Sequence, residues 1–250
     1  MFIDTHCHLS IEDYDDIDLV IKENRNVEIS NIIISGCNYD SIVESLEISN
    51  KYDDVFVTIG YHPDQVEVVD DKKIEFLKEQ LKHPKVVGVG EIGLDYHYGK
   101  ENRDAQIVLF EKQLKIAEEY NLPVVIHSRD ATEDTIECLK KYKVHGVMHC
   151  FSGSVETAMI YKKMGFYLGI GGVVTFKNSN LYKVVDAVGL DSIVLETDSP
   201  YLAPEPVRGT KNSSKNIPFI AKRIAEILNV SVEEVSKKTI ENTLNLFDLK

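Results

Sequence analysis

The sequence predicts an α/β fold, a (β/α)8 TIM barrel, on three observations. Eight short runs of apolar and β-branched residues recur along the chain of 250 residues. Amphipathic stretches with helical periodicity lie between these runs. The runs are apolar on both faces, which is typical of parallel strands buried on both sides. Eight strands that alternate with helices over this length fit one barrel, so we predict a single domain over residues 1–250.

The predicted strands and helices alternate along nearly the whole sequence. Strands are predicted at Phe2–His6, Asn31–Ser35, Val55–Ile59, Val86–Gly90, Pro123–His127, Val144–His149, Phe166–Ile170 and Ser192–Thr197. Helices are predicted at 40–50, 70–82, 104–120, 131–142, 154–164, 217–228 and 232–247, and 203–218 is the one long loop. A doubly wound open sheet is the alternative fold. No G-x-G-x-x-G follows the first strand, which argues against a dinucleotide-binding version of that sheet.

The composition excludes several classes of protein. Hydrophobic residues make up 43% and charged residues 28% of the chain, as in globular proteins and unlike disordered or collagen-like chains. The net charge of −13 argues against a protein that coats duplex DNA, because such binding depends on Lys and Arg at the phosphates. No apolar run approaches the ~20 residues of a membrane-spanning helix, so no membrane partner is expected.

The cysteines and the N-terminus predict a cytoplasmic location. The four cysteines lie far apart and form no C-x-x-C pair, which is typical of reduced thiols in the cytosol. The first residues contain no basic segment followed by an apolar one, so we expect no signal peptide.

Ionisable side chains lie at the ends of six of the eight predicted strands. They are His6 and His8, His62, Glu91, His127, His149 and Asp198. The C-terminal ends of barrel strands converge on one site, so these side chains are expected to come together. Imidazoles and carboxylates are costly to bury unless something neutralises or coordinates them. Six of these side chains, all but His62, suit two divalent ions bridged by a carboxylate.

The first strand carries the His-x-His pattern of His6 and His8. Side chains two apart on a strand point the same way, so both rings can reach one metal ion while Cys7 faces the helices. A pair of hydrogen-bonded histidines at the barrel end is the alternative. Asp4 lies on the same face of the strand as His6. It either orients the His6 ring or has a purely structural role.

The two predicted carboxylate ligands also have structural alternatives. Glu91 is expected to bridge the ions, although a salt bridge at the barrel end would account for it alone. Asp198 is expected to bind metal and to accept a proton, although Ser199-Pro200 after it also fits the start of a helix that Asp198 would cap. Glu196 lies two residues before Asp198 and on the same face of the predicted strand. It is expected to orient a metal ligand.

A few basic residues are placed to receive phosphate groups in this acidic chain. Arg208 and Lys211 lie in the loop after the eighth strand, and Arg129 lies two residues past His127. Lys222 and Arg223 are expected on a solvated helix face. No G-x-S-x-G elbow and no Walker A loop is present, which argues against a serine hydrolase and a P-loop enzyme.

Several segments, in order, resemble one known family over almost the whole chain. They are Phe2–His8, Gly60–Pro63, Gly90–Tyr96, Leu122–Ala131, His149–Gly153, Leu195–Leu202, Arg208-Gly209 and Asn242–Phe247. With these segments the chain resembles the TatD-type metal-dependent hydrolases, a deoxyribonuclease family of TIM barrels. Where that family often has Lys-Arg-Asn-Glu-Pro after Arg-Gly, this chain has the less basic Thr210–Ser214.

The resemblance implies a two-metal site and a nucleic-acid substrate. His6, His8 and Asp198 would hold one ion, and His127 and His149 the other, with Glu91 between them. The ions would be Zn, Mn or Mg. The family hydrolyses phosphodiester bonds in DNA, often from the 3′ end, and some relatives are assigned deacylation of D-aminoacyl-tRNA.

The sequence therefore leaves three hypotheses for function. The first is a nuclease acting on single-stranded DNA or on 3′ ends. In this hypothesis the catalytic residues are Asp198 and Glu91, and the substrate-binding residues are His62, Arg129, Tyr201 and Arg208. The second is a hydrolase of an ester or amide, such as D-aminoacyl-tRNA, at the same metal site. The third is a metal-binding barrel without catalysis.

Overall fold

The computed structural model describes residues 1–249, which contain eight strands in one sheet. The strands are β1 Phe2–Cys7, β2 Ile29–Gly36, β3 Val55–Ile59, β4 Val86–Asp95, β5 Val124–Arg129, β6 Gly146–Met148, β7 Tyr167–Ile170 and β8 Ile193–Leu195. They follow one another in chain order, and adjacent strands such as β3, β4, β5 and β6 pair in parallel. This order confirms the predicted (β/α)8 fold class.

Helices lie between the strands and after the last one. They are α1 Ile17–Asn26, α2 Tyr39–Ser49, α3 Asp71–Gln80, α4 Arg103–Tyr120, α5 Thr132–Leu139, α6 Val155–Lys163, α7 Leu181–Val188, α8 Ile217–Leu228 and α9 Val232–Phe247. Several begin at a side-chain cap that satisfies a free backbone N–H; at the start of α9, the Ser231 hydroxyl oxygen accepts from the Glu234 N–H at 3.1 Å. Within residues 1–249, no helix is both long and apolar enough to cross a membrane.

The chain divides into two compact units. The terminal unit comprises Met1–Ile34 and the chain from His149 onwards, and the central unit comprises Ser35–Met148. The prediction of one domain over residues 1–250 stays a prediction, and Lys250 lies outside the described residues.

In the terminal unit the first and last strands meet. Cys7 and Ser199 form a parallel bridge, and the His8 N–H donates to the Ser199 carbonyl at 2.7 Å. The Asp198 N–H donates to the His6 carbonyl at 3.0 Å. Asn242 of α9 fastens the start of β8, because its amide donates to the Ile193 carbonyl at 2.7 Å. Sequence positions that lie almost 200 residues apart are thereby brought together.

In the central unit the strands are buried on both faces, as their apolar composition predicts. Ile59, Val89, Ile92 and Leu94 are completely inaccessible to solvent, as is the start of β5 at Val124. Each such side chain contributes about 1.5–3 kcal/mol of transfer free energy relative to exposure. This packing gives the donor side chains at the carboxyl ends of β4 and β5 a rigid base.

Two helices are missing from the sequence prediction. The helix α7 has apolar residues at Leu181, Val184, Val185 and Val188, which is a helical spacing, but valine favours strands and the segment is short. The helix α1 buries only Ile21 and Asn24, so its pattern carries little signal.

One strand boundary affects the site. The prediction that β4 ends before Glu91 is wrong, because the strand continues to Asp95 and Glu91 lies inside it. Gly90 and Gly93 weaken the local strand pattern, because glycine is depleted in strands. Gly93 instead allows the strand to continue beside β5: its φ is +148°, and a Cβ there would lie 1.9 Å from the His127 carbonyl oxygen.

Candidate metal centre

Four predicted ligands come together in the terminal unit, and we call them the terminal donor set: His6, His8, His149 and Asp198. The Asp198 Oδ1 atom lies 3.7 Å from His6 Nε2 and 3.4 Å from His8 Nε2. The His6 and His149 rings stack with centroids 3.9 Å apart. His6 and His149 are almost fully buried, whereas part of His8 faces solvent. The predicted shared face of His6 and His8 is confirmed.

The backbone at Asp198 turns out of the strand in a left-handed conformation, with φ of 52°. Asp and Asn adopt this conformation more readily than most residues. The chain then forms the Ser199 bridge and a turn, and no helix begins there. The alternative that Asp198 caps a helix is therefore wrong, and its carboxylate faces the histidines instead.

Two buried carboxyl groups, those of Asp4 and Glu196, support the side chains of the terminal donor set. Asp4 is fully buried and accepts from the Thr197 hydroxyl at 2.6 Å and the Thr197 N–H at 3.0 Å. Burial raises the pKa of Asp4 to about 7, despite the hydrogen bonds from Thr197. Asp4 also accepts from the His6 N–H at 3.3 Å, so it ties β1 to the segment after β8.

Glu196 is the support of His149. Its Oε1 atom accepts from the Cys150 N–H at 2.5 Å and lies 3.5 Å from His149 Nδ1. Burial raises the pKa of this carboxyl group. Gly169 makes room for it, because a Cβ at that position would lie 2.0 Å from Oε2. These contacts agree with the prediction that Glu196 supports a ligand, since a carboxylate orients the imidazole beside it.

A second group of donors lies in the central unit, and we call it the central donor set: His62, Glu91, Asp95 and His127. His127 lies between two carboxylates, with Nδ1 2.8 Å from Glu91 Oε1 and Nε2 3.2 Å from Asp95 Oδ2. His62 Nε2 lies 3.8 Å from the same oxygen of Glu91. The His62 and His127 rings meet edge to face, with centroids 4.5 Å apart.

Asp95 is the member of this set that the sequence analysis missed. Glu91, Gly93 and Asp95 share one face of β4 because they alternate along it. The register pairs Gly93 with His127, which places that ring between the two carboxylates. Burial raises the pKa of Asp95, but hydrogen bonds from His127 and from the His97 N–H outweigh it, so the pKa lies below its usual value. The sequence offered one indication of this role, because Glu91 and Asp95 are four residues apart and therefore lie on the same face of a strand.

His62 is held at the end of the segment after β3. It precedes a short 3-10 helix, Pro63–Gln65, and its Nδ1 lies 2.9 Å from Asp64 Oδ1. The hydrogen bond with His62 lowers the pKa of Asp64 more than burial raises it. This contact leaves Nε2 as the ring atom that is directed toward Glu91.

The donor chemistry of both sets fits a divalent ion. One atom each from His6, His149 and Asp198 lies within 4.8 Å of the others, and the same holds for His62, Asp95 and His127. Ligands at bond lengths of about 2.0–2.2 Å lie roughly 3–4 Å apart around one ion, so small side-chain shifts complete the coordination. Mixed imidazole and carboxylate donors suit zinc, manganese or iron. The clusters are therefore compatible with divalent metal binding.

The predicted substrate-binding residues lie at the end of a strand or on the segments that follow the strands. Arg129 ends β5, and its guanidinium carbon lies 5.7 Å from the centre of the Tyr98 ring. The guanidinium carbon of Arg208 lies 4.2 Å from the centre of the Phe176 ring. Tyr201 is 60% exposed, and its ring lies 6.3 Å from that of His8.

The segment 203–218 is more ordered than the predicted long loop. Asn212 is fully buried and donates to the Thr197 carbonyl at 3.0 Å and the Tyr201 carbonyl at 2.7 Å. Lys211 donates to the Asp13 carbonyl oxygen. Asn212 thus anchors the stretch that carries Asp198 and Tyr201. The segment Thr210–Ser214, where the chain departs from the family pattern, includes this anchor.

Comparison with known proteins agrees with this arrangement. A family model described as TatD related DNase matches residues 3–248. The chain belongs to the TatD family. Membership places it among the metal-dependent hydrolases, and the resemblance seen in the sequence is confirmed.

Two metal-dependent hydrolases align with nearly the whole length of this chain. The chain is 40% identical over 252 residues to the uncharacterized metal-dependent hydrolase YabD of Bacillus subtilis, with 99% of each chain covered. It is 34% identical over 255 residues to the uncharacterized metal-dependent hydrolase YcfH of Escherichia coli K12, with 99% of this chain and 96% of the other covered.

Solved structures agree with the TatD fold. The crystal structure of YjjV, a TatD homologue from Escherichia coli K12, superposes with a TM-score of 0.93 at 29% identity, covering 100% of this chain and 98% of the other. A TatD-family hydrolase from Entamoeba histolytica shares the fold, with a TM-score of 0.90 at 24% identity over 98% of this chain and 97% of the other.

Proposed function

We propose that this TatD-family chain is a deoxyribonuclease that hydrolyses phosphodiester bonds at the 3′ end of single-stranded DNA. The observation that carries the proposal is the pairing of buried or half-buried imidazoles with carboxylates in both donor sets. Hydrolysis of a phosphodiester needs positive charge beside the phosphate oxygens and an activated water, and this donor chemistry recruits the ions that supply both. The description of the family model as a DNase supports the choice of substrate.

The ligands in this proposal are the six residues predicted from the sequence. They are His6, His8, Glu91, His127, His149 and Asp198, and they would hold two divalent ions. When bound, the ions supply stabilisation of phosphate charge and lower the pKa of water. Asp95 and Glu196 orient His127 and His149 through the other ring nitrogen, which fixes the atom presented to the metal.

Asp198 is the proton acceptor in the proposed mechanism. Its carboxylate lies at the edge of the terminal donor set and is partly open to solvent, so a water molecule can reach it. His6 and His8 flank the Oδ1 atom and restrict the orientation of the carboxylate. Asp198 would orient the attacking water and take its proton as the water oxygen bonds to phosphorus. The bond from phosphorus to the leaving sugar oxygen breaks, and that oxygen takes up a proton.

Arg208 is proposed to hold a phosphate of the substrate. Its guanidinium rests on the Phe176 ring and borders a cavity of about 440 Å³ whose lining includes Lys177 and Ser179. The contact with Phe176 restrains the guanidinium, and a guanidinium can make a two-point contact with phosphate oxygens. His62 and Tyr201 are proposed to contact the substrate beside it.

The change Arg208→Ala should weaken cleavage of an oligonucleotide and lower its salt dependence. The slope of log affinity against log salt should fall by about one unit for one lost phosphate contact. The measurement is kcat/KM for a single-stranded oligonucleotide and for a small phosphodiester at several salt concentrations. Arg223→Ala is the matched control, since Arg223 is an exposed helix residue paired with Glu226. Equal losses on both substrates would mean that Arg208 only shapes the site.

A panel of three substrates tests the proposed function. Metal-loaded protein is given a single-stranded DNA oligonucleotide, a D-aminoacyl-tRNA and a simple carboxylic ester. We expect shortening of the oligonucleotide from its 3′ end as the fastest reaction. Faster deacylation of the tRNA or ester would replace the proposal with the second hypothesis, and no turnover of any of the three would favour a metal-binding barrel without catalysis.

A further inference from the structure

Tyr98 is the most exposed large hydrophobic side chain among residues 1–249, with 89% of its surface open to solvent. It lies in the segment directly after β4, three residues beyond Asp95. An aromatic ring in water at this place forgoes the stabilisation that burial would give it. A ring so exposed beside a donor set is a candidate for contact with a substrate.

Two side chains contact the Tyr98 ring. The guanidinium of Arg129 lies over one side of the ring at 5.7 Å, within the range of a cation–π interaction. The His97 ring meets Tyr98 edge to face at 4.9 Å, and its Nδ1 lies 3.1 Å from Asp130 Oδ2. We call Tyr98, Arg129 and His97 the stacking platform.

The stacking platform is built directly onto the central donor set. The His97 N–H donates to Asp95 Oδ1 at 2.9 Å, and the register of β4 and β5 pairs Asp95 with Arg129. Arg129 follows His127 by two residues, so the two share a face of β5 and are about 7 Å apart along the strand. A group that stacks on Tyr98 therefore sits next to the residues that surround His127.

We propose that Tyr98 and Arg129 stack the base of the nucleotide that adjoins the scissile phosphate. The inference rests on the proposed nuclease function and names a base-binding subsite for it. Every base offers an apolar face, so an aromatic ring beside a guanidinium binds single strands without reading their sequence. A chain with a net charge of −13 gains little from phosphate attraction, and stacking supplies affinity that does not depend on charge.

The size and chemistry of the stacking platform favour a base over a protein partner. A stable protein interface buries about 800 Å² on each side, far more than one tyrosine ring and one guanidinium offer. The face of a single base matches the small area that one tyrosine ring and one guanidinium offer.

The test compares Tyr98→Leu with Tyr98→Phe on three oligonucleotides. One carries all its bases, the second lacks the terminal base at the 3′ end, and the third lacks the penultimate base. Tyr98→Leu should lower kcat/KM on the complete strand by about 5-fold to 100-fold, the range of one lost base–aromatic stack. The loss should vanish on one of the two abasic strands, and Tyr98→Phe should stay near wild type.

A control variant and a binding measurement make the result decisive. Tyr182→Leu removes another exposed tyrosine with a lysine 5.7 Å over its ring, on helix α7, and should change nothing. The affinity of each variant for the same strands is measured by fluorescence anisotropy, which does not depend on turnover. Failure of the wild type to cleave any strand would overturn the nuclease proposal. It would not overturn the base-binding subsite, because the anisotropy measurement tests binding without cleavage. An equal loss on all three strands, or no loss of affinity, would overturn the base-binding subsite.

Discussion

Asp198→Asn lowers turnover of the metal-loaded protein by about 10²–10⁴-fold, the usual effect of losing a positioned general base, and leaves the fold intact. Asn matches Asp in size and adopts the left-handed backbone conformation that this position requires, with φ of 52°. Its N–H still donates to the His6 carbonyl. An amide cannot take the proton of the attacking water, so the loss falls on kcat.

The measurement is kcat on a single-stranded oligonucleotide at saturating metal, together with the melting temperature. Asp248→Asn is the matched control, because Asp248 also has a positive φ, 49°, but lies at the end of α9. Near-normal turnover in Asp198→Asn would show that the base lies elsewhere, and Glu196 and His62 would be the next residues to change.

Glu91→Gln lowers bound metal and turnover together. Glu91 is a buried carboxylate 2.8 Å from His127 Nδ1, and glutamine keeps its shape while removing its negative charge. Loss of a residue that only orients a metal ligand lowers metal affinity by about 10-fold to 100-fold. Loss of a charged ligand itself should lower the affinity by more. We therefore expect a metal affinity reduced at least that much, and a rate that recovers partly at high metal concentration.

Metal content by elemental analysis and rate at increasing metal concentration test this prediction. Glu137→Gln, a change at an exposed residue paired with Lys140, should leave both values unaltered. Full metal occupancy with a low rate would mean that Glu91 acts on the substrate or on the water and does not hold the ions.

The residue types at strand ends were enough to predict most of both donor sets. Histidine and carboxylate side chains are costly to bury, so their recurrence after apolar strands is informative without any knowledge of contacts. The structure brings His6, His8, His149 and Asp198 together in one unit and His62, Glu91 and His127 in the other.

The features that the sequence analysis missed depend on contacts between distant segments. Gly90 and Gly93 look like a strand end locally, and only the pairing of β4 with β5 carries the strand on to Asp95. Ser199-Pro200 resembles the start of a helix, but hydrogen bonds between this segment and β1 hold it as a bridge and turn. Local patterns carry no information about partners almost 200 residues away.

The dependence of hydrolysis on divalent metal is the most direct test of this account. Protein stripped by a chelator and passed through a desalting column is assayed on a single-stranded oligonucleotide, with its metal content measured on the same sample. We expect loss of cleavage in the stripped protein and its return when a divalent ion is added back. Full cleavage by protein shown to be free of metal would contradict it.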